Sequence, residues 1–339
     1  MGLLQLKSDR RLDVVPLGRV TIDLNPVDMY RTLAESTTFK KYLGGSPANI
    51  AVGIARLGRK AGFIGKVSDD RFGDFVVDYF KKEGIDVSGV SRAENGESLG
   101  LTFTEILSEK ESSILMYRNS AADLSLDLPD IREDYIAEAK ILVISGTALA
   151  ASPSREAAFK ALFFAKKHGT AVVFDIDYRE YTWRSKEEMA VYYALVGGRA
   201  DMIIGSKEEF DLMQGLEGKA LSDEETAAKW FASGSGIIVI KHGKKGSRVY
   251  ASDGSCYVAE PQPVKKLKGF GGGDAYASAF IYGLLEGWDI RRALEFGNAS
   301  ASLLVAAHSC SDAMPAPEKI QEFIDAGRAE YGDLVRQVR

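Results

Sequence analysis

The chain has 339 residues, 45% of them hydrophobic and 27% charged, enough for a sizeable core in one large α/β domain or in two. Its formal net charge of −5 and the lack of a long basic block argue against nucleic acid as a partner. Two cysteines, Cys256 and Cys310, and three scattered histidines, His168, His242 and His308, are too few for a disulfide framework, a zinc site or a histidine-rich metal centre.

Met1 to Asp13 alternates charge with apolarity and has no apolar signal core. No apolar run reaches the roughly 18 residues of a membrane span, so the expectation is a cytoplasmic protein without a membrane partner. Short apolar runs at 13–17, 61–64, 141–145, 171–176, 202–204 and 237–241 read as buried strands. Helical patterns at 47–57, 72–83, 154–168, 186–196, 224–231 and 275–285 lie between or after them. That alternation predicts an α/β fold with a mostly parallel sheet flanked by helices.

Two stretches break the rhythm. Residues 24–42 are polar and aromatic with weak strand character. Residues 98–117 hold two alternating runs, 101–107 and 112–117, joined by the charged turn Ser108-Glu109-Lys110-Glu111, which is a hairpin pattern. Together they predict a small β-sheet over the carboxyl ends of the main strands, a lid; extra strands extending the main sheet are the plainer alternative. The organisation expected is one domain over 1–339, with lid segments at about 24–42 and 98–117.

Two glycine motifs stand out. Gly44-Gly45-Ser46-Pro47-Ala48-Asn49 precedes an apolar helix that stops at Gly58. Ser46 suits an N-cap, Pro47 the first helical position, and the paired glycines allow close approach of a ligand. Asn49 is polar in an apolar turn: either a buried amide tied to backbone or a donor to a polyhydroxy ligand. Gly269-Phe270-Gly271-Gly272-Gly273-Asp274 opens a second apolar helix. Glycines before a helix leave outward amides at the positive end of its dipole, an anion site. Asp274 at its mouth is then a proton acceptor for a group attacking the anion, or simply a capping acid. No G-x-x-x-x-G-K-[ST] run occurs, which excludes a P-loop kinase.

Taken together, and in this order and spacing, the two motifs resemble the signatures of the PfkB family of carbohydrate kinases, whose fold is ribokinase-like. The resemblance is collinear over about 13–315. It implies Asp274 as catalytic base, the amides of Gly271, Gly272 and Gly273 as anion hole, and ATP with Mg²⁺ as cofactors. Asp23, after the first strand, matches the family's acid for sugar hydroxyls, and Gly44, Gly45 and Asn49 complete that side. Ser206-Lys207-Glu208-Glu209 falls where the family has Asn-x-x-Glu. Glu209 would thus organise Mg²⁺ indirectly, while Ser206 replaces the asparagine and takes its place among the nucleotide-binding residues. Lys241, Gly243 and Gly246 resemble the loop under the nucleotide, and Asn298 the helix residue beside the adenine. Taken singly, Lys244 and Lys245 suit a solvated turn, and Glu208 and Glu209 a helix's first-turn acids.

Arginines indicate the substrate class. Arg118 ends the hairpin and Arg179 follows a buried strand, both at strand ends where α/β proteins bind ligands. A planar guanidinium fork suits a carboxylate and would be superfluous for a neutral sugar; each arginine could instead form a surface ion pair. Both stretches resemble the acid-sugar branch of the family, the ketodeoxygluconate kinases. Three departures, Lys268-Gly269-Phe270 in the second signature, Ser309-Cys310 near the end and Asp177 for an asparagine, resemble instead the branch serving bacterial inositol catabolism. Loss of the signature acid implies that the Lys268 ammonium stands in for a monovalent cation. The expectation is a sugar-acid kinase acting on a terminal hydroxyl, with a homodimer through the lid. A 2-dehydro-3-deoxygluconate kinase is the alternative within the class, and a non-catalytic sugar-acid sensor on the same scaffold the alternative outside it.

Overall fold

Alternation of buried side chains to two faces gives the main sheet its helices on both sides. The computed structural model describes residues 3–108, 111–265, 267–268 and 270–339. The strands are β1 (Leu12–Leu17), β2 (Thr21–Pro26), β3 (Phe39–Gly44), β4 (Gly62–Val67), β5 (Asp86–Arg92), β6 (Gly100–Ile106), β7 (Ser112–Tyr117), β8 (Ala139–Ser145), β9 (Ala171–Asp175), β10 (Met202–Ser206), β11 (Ile237–Lys241), β12 (Ser247–Ala251), β13 (Cys256–Ala259) and β14 (Val335–Gln337). The helices are α1 (Ser46–Arg56), α2 (Arg71–Lys82), α3 (Glu133–Ala137), α4 (Ser154–His168), α5 (Lys186–Gly197), α6 (Lys207–Met213), α7 (Asp223–Ala232), α8 (Gly272–Leu285), α9 (Ile290–Val305) and α10 (Pro317–Tyr331).

Ten strands form one sheet in the order β14-β13-β12-β11-β10-β9-β8-β1-β4-β5. The seven from β11 to β5 run parallel, and β12, β13 and β14 add on antiparallel. Val14, Val143 and Val173 point to the face covered by α1, α2, α8 and α9, where Ile50, Phe80 and Phe280 are fully buried. Their neighbours Val15, Leu142 and Phe174 point to the other face, against Ala158, Tyr193 and Trp230. The six runs expected as strands are all strands. β5, β12, β13 and β14 were not expected, being short or interrupted by polar residues.

From β1 the chain builds outward to β4 and β5, then returns to β8 on β1's other side. This reversal of strand order leaves a crevice beyond the carboxyl ends of β1 and β8, the usual ligand position in open α/β sheets. The stretches that broke the rhythm form a separate four-stranded sheet, β3-β2-β6-β7, not an extension of the main one. Glu109 and Lys110 of the hairpin turn lie outside the described residues. Among the described residues no helix is long and apolar enough to cross a membrane.

Candidate active site

The start of α8 differs from the sequence reading in a way that sharpens it. Helix begins at Gly272, three residues before the expected 275, so Asp274 is not a cap but the third helical residue. The cap is Gly271 at φ 86°, a left-handed conformation, and a Cβ there would lie 2.6 Å from Cys310 Sγ. Gly272 and Gly273 precede any carbonyl one turn back, so their amides face outward at the positive dipole end. Lys241, ending β11, brings Nζ to 3.2 Å from the position of a Gly273 Cβ. That ammonium has no hydrogen bond or ion pair among the described residues. Amides and a cation therefore converge on one point, fit for a phosphate. Gly269 of this motif lies outside the described residues.

The Asp274 carboxylate is gripped from α1. Gly45 caps that helix at φ 97°, making Ser46 its first residue and Pro47 its second. The expected Ser46 cap is thereby corrected, and its hydroxyl is released for other use. Ser46 Oγ lies 2.8 Å from Asp274 Oδ1 and 3.0 Å from Asp175 Oδ2, at the end of β9. Asn49 Nδ2 donates to Asp274 Oδ2 at 2.8 Å, while Asn49 Oδ1 is buried without a partner. Neither open reading of Asn49 foresaw a side chain bonded to Asp274. Burial and then the like charge of Asp177 push Asp274 above the usual carboxylate range, against Asn49, Ser46 and the Arg179 cation. Burial also raises Asp175, opposed by Lys241 and reinforced by Asp177, Asp274 and Glu209.

On the side toward the small sheet, Asp23 accepts from Thr21 Oγ1 at 3.0 Å and is raised chiefly by burial. A Cβ on Gly44 would fall 1.9 Å from Asp23 Oδ1, and one on Gly45 would fall 2.6 Å from the Arg19 carbonyl, so only glycine lets these elements meet. Asp177 sits at φ 37°, strained for a non-glycine residue. Arg179 Nη2 pairs with it at 2.7 Å and Ser145 Oγ donates at 3.2 Å. Arg179 Nη1 is taken by the Tyr178 carbonyl at 2.7 Å. Arg118 is buried and mostly committed: Nε and Nη2 bind Asp123, Nη2 also binds the Thr147 carbonyl, and Nη1 is left without a partner. Two of the groups here, Asp175 and Arg19, were not singled out from sequence. Their positions at the ends of buried strands were the available signal.

Beside Gly271, Gly272 and Gly273 opens a cleft of about 620 Å³, lined also by Lys241, Gly243, Gly246 and Asn298. Four of the five residues expected around a nucleotide thus meet in one place, and Asn298 Nδ2 is fixed by the Glu260 carbonyl at 2.6 Å. Ser206 stands apart from this lining. It caps α6 in a reciprocal box with Glu209, whose Oε2 accepts from the Ser206 amide at 2.6 Å. Glu209 Oε1 accepts from the Tyr178 amide at 2.9 Å. Both carboxylate oxygens are therefore spent on backbone, tying β10 to the loop that carries Asp177 and Arg179. Among the described residues no cluster of three or more acidic, histidine or cysteine side chains is placed to hold a metal ion.

Comparison with known proteins agrees with this arrangement. Residues 11–317 match the model of the pfkB family carbohydrate kinases. A 5-dehydro-2-deoxygluconokinase of Clostridium perfringens is 66% identical, with 99% of each chain covered. Another of that name from Clostridium botulinum is 62% identical, again with 99% of each covered. Among solved structures, a sugar kinase of Pyrococcus horikoshii in complex with ATP superposes with a TM-score of 0.78 at 29% identity, covering 93% of this chain and 99% of that one. The chain belongs to the pfkB family of carbohydrate kinases, with a ribokinase-like fold, and is a phosphotransferase acting on a sugar hydroxyl.

Proposed function

We propose that this kinase transfers the γ-phosphate of ATP to the terminal hydroxyl of 5-dehydro-2-deoxy-D-gluconate, a step of myo-inositol catabolism. The substrate reading is supported by relatives of that activity at 53–66% identity over nearly the whole chain. The chemistry is carried by one observation: a carboxylate held by two donors from α1, at the mouth of an amide and ammonium pocket. Asp274 takes the proton of the attacking hydroxyl. The amides of Gly271, Gly272 and Gly273, with Lys241, hold the charge that spreads over the transferring group.

The cleft fits ATP in size and chemistry: Pro261, Val264 and Val305 offer apolar walls for a base, and the phosphate end meets the glycine amides. Gly243 and Gly246 lie under the nucleotide and Asn298 beside its base. Mg²⁺, which neutralises phosphate charge when bound, suits a site without a protein cage, held through phosphate oxygens and water. Glu209 contributes at one remove, by fixing the loop of Asp177 and Arg179, and Ser206 by capping α6. Asp23, Asn49 Oδ1 and the close backbone at Gly44 and Gly45 receive the sugar hydroxyls, and Arg118 and Arg179 border the acid end. The small sheet serves as a lid inserted in a single kinase domain. Its outer strand β7, with Ile114, Leu115 and Tyr117 exposed, pairs two copies.

An ADP-release assay on the purified chain tests this. The 5-dehydro acid should give the highest kcat/KM in a panel with 2-dehydro-3-deoxygluconate and neutral hexoses. A better neutral hexose or 2-dehydro acid would overturn the substrate, and ATP untouched with every sugar acid would leave a sensor.

A further inference from the structure

Arg19 lies two residues past the end of β1 and is 4% exposed, yet its guanidinium makes no hydrogen bond to an oxygen among the described residues. Nε is buried without a partner. Nη2 stands 3.7 Å from Asp177 Oδ2, too far for a hydrogen bond, and Asp177 is already matched by Arg179 at 2.7 Å. Nη1 reaches only the thioether of Met116, at 3.4 Å. Tyr181 Oη donates to the same sulfur at 2.9 Å. A thioether is a weak acceptor, so a cation and a phenol aimed at one sulfur are two donors without a proper acceptor. The other arginines differ: Arg118 is neutralised by Asp123, and Arg179 by Asp177.

Position agrees with chemistry. Arg19 lies at the reversal of strand order beyond β1 and β8. Its backbone is clamped under Gly45, its charge acts on Asp23, and Met116 reaches it from β7. It thus sits beside two strands of the small sheet, β2 through Asp23 and β7 through Met116. A planar group with open N–H edges, removed from water, calls for a planar anion with two acceptors.

We infer that Arg19 binds the carboxylate of the sugar acid, with Tyr181 Oη as a second donor, and that Met116 holds both donors in place until the acid arrives. This deepens the proposed function and rests on it. It moves the carboxylate from the Arg118 and Arg179 pair to Arg19.

The test compares KM for the 5-dehydro acid and for its primary amide in wild type, Arg19→Gln, Arg19→Lys and Tyr181→Phe, with ADP binding measured by calorimetry. Losing a charge-assisted bond should raise KM for the acid roughly ten- to a hundredfold in Arg19→Gln, with kcat and ADP affinity little changed. Arg19→Lys should recover part of this, because a point charge lacks the fork. Tyr181→Phe, at an exposed position, should show a smaller rise for the acid and none for the amide. Wild type unable to use the acid would refute the function itself. Wild type preferring the acid, with the preference intact in Arg19→Gln, would overturn the Arg19 subsite alone. Should Arg19→Gln fail to bind ADP through misfolding, an unchanged preference in Tyr181→Phe would overturn the two-donor subsite.

Discussion

Replacing Asn49 with alanine should move the acidic limb of the pH–rate profile upward. The limb exists because a protonated Asp274 cannot accept the hydroxyl proton, so the rate falls as pH drops through its pKa. Asn49 Nδ2 bonds the ionised form at 2.8 Å and so holds that pKa down, against burial and Asp177. Removing the donor lets the pKa rise. A hydrogen bond to a charged group is worth about 1.5–3 kcal/mol. Ser46 and Arg179 remain to stabilise the anion, so the lower end is appropriate. At about 1.4 kcal/mol per pKa unit, the limb should move up by about one pH unit. The assay is kcat/KM for the sugar acid with saturating ATP across the limb, because that ratio reports the ATP-bound enzyme before the acid binds. Well above the limb kcat should approach wild type, while KM rises because Asn49 Oδ1 no longer meets a hydroxyl. A uniform drop with an unmoved limb, or a limb displaced to lower pH, would refute the reasoning.

Other perturbations separate chemistry from scaffold. Asp274→Asn should cost about 10²–10⁴ in kcat while leaving ATP affinity in place; near wild-type kcat would remove it as base. Arg118→Ala strands Asp123 as a buried charge, since the pair's side chains are 3% and 1% exposed, and should lower stability by about 3–5 kcal/mol in denaturant melts. Unchanged stability with a large rise in KM for the acid would return Arg118 to the substrate. Lys268 is 1% exposed, with Nζ 2.9 Å from Cys310 Sγ, a resident cation in the second motif. Exchanging potassium for a bulky organic cation at constant ionic strength should therefore leave kcat unchanged, and saturable activation by potassium would contradict this.

The parallel sheet was legible because its strands are uninterrupted apolar runs, such as Ile237–Lys241, buried on both faces. β5 and β12 were not, since Ser88, Arg248 and other polar residues break the run; β5 tolerates them at the sheet edge. The glycine motifs were legible because backbone approach leaves a mark in residue type, as at Gly44 against Asp23. Asp274 could be chosen from sequence, but its partners could not. Ser46 and Asn49 lie more than two hundred residues away, and their donors reach it only because α1 and α8 pack together. Arg118 and Arg179 look alike as strand-end arginines, and sequence carries no sign that Asp123 neutralises one and Asp177 the other.

Three acids, Asp175, Asp177 and Asp274, crowd the ends of β9 and α8, and like charges at such range resist joint ionisation. The structure gives each a different solution. Asp177 has the Arg179 guanidinium at 2.7 Å. Asp274 has two donors, Ser46 Oγ and Asn49 Nδ2, one for each oxygen. Asp175 is 4% exposed, and in the site it faces the same Ser46 hydroxyl. A hydroxyl has one proton to give. If it goes to Asp274, the oxygen that remains can only accept, and the donor facing it must be Asp175 in its protonated form. Burial pushes Asp175 in that direction, with Asp177, Asp274 and Glu209 adding to it against Lys241. The neutral acid, the serine and the anionic base then form one directed chain of hydrogen bonds. It leaves the negative charge on Asp274, the carboxylate proposed to take the hydroxyl proton.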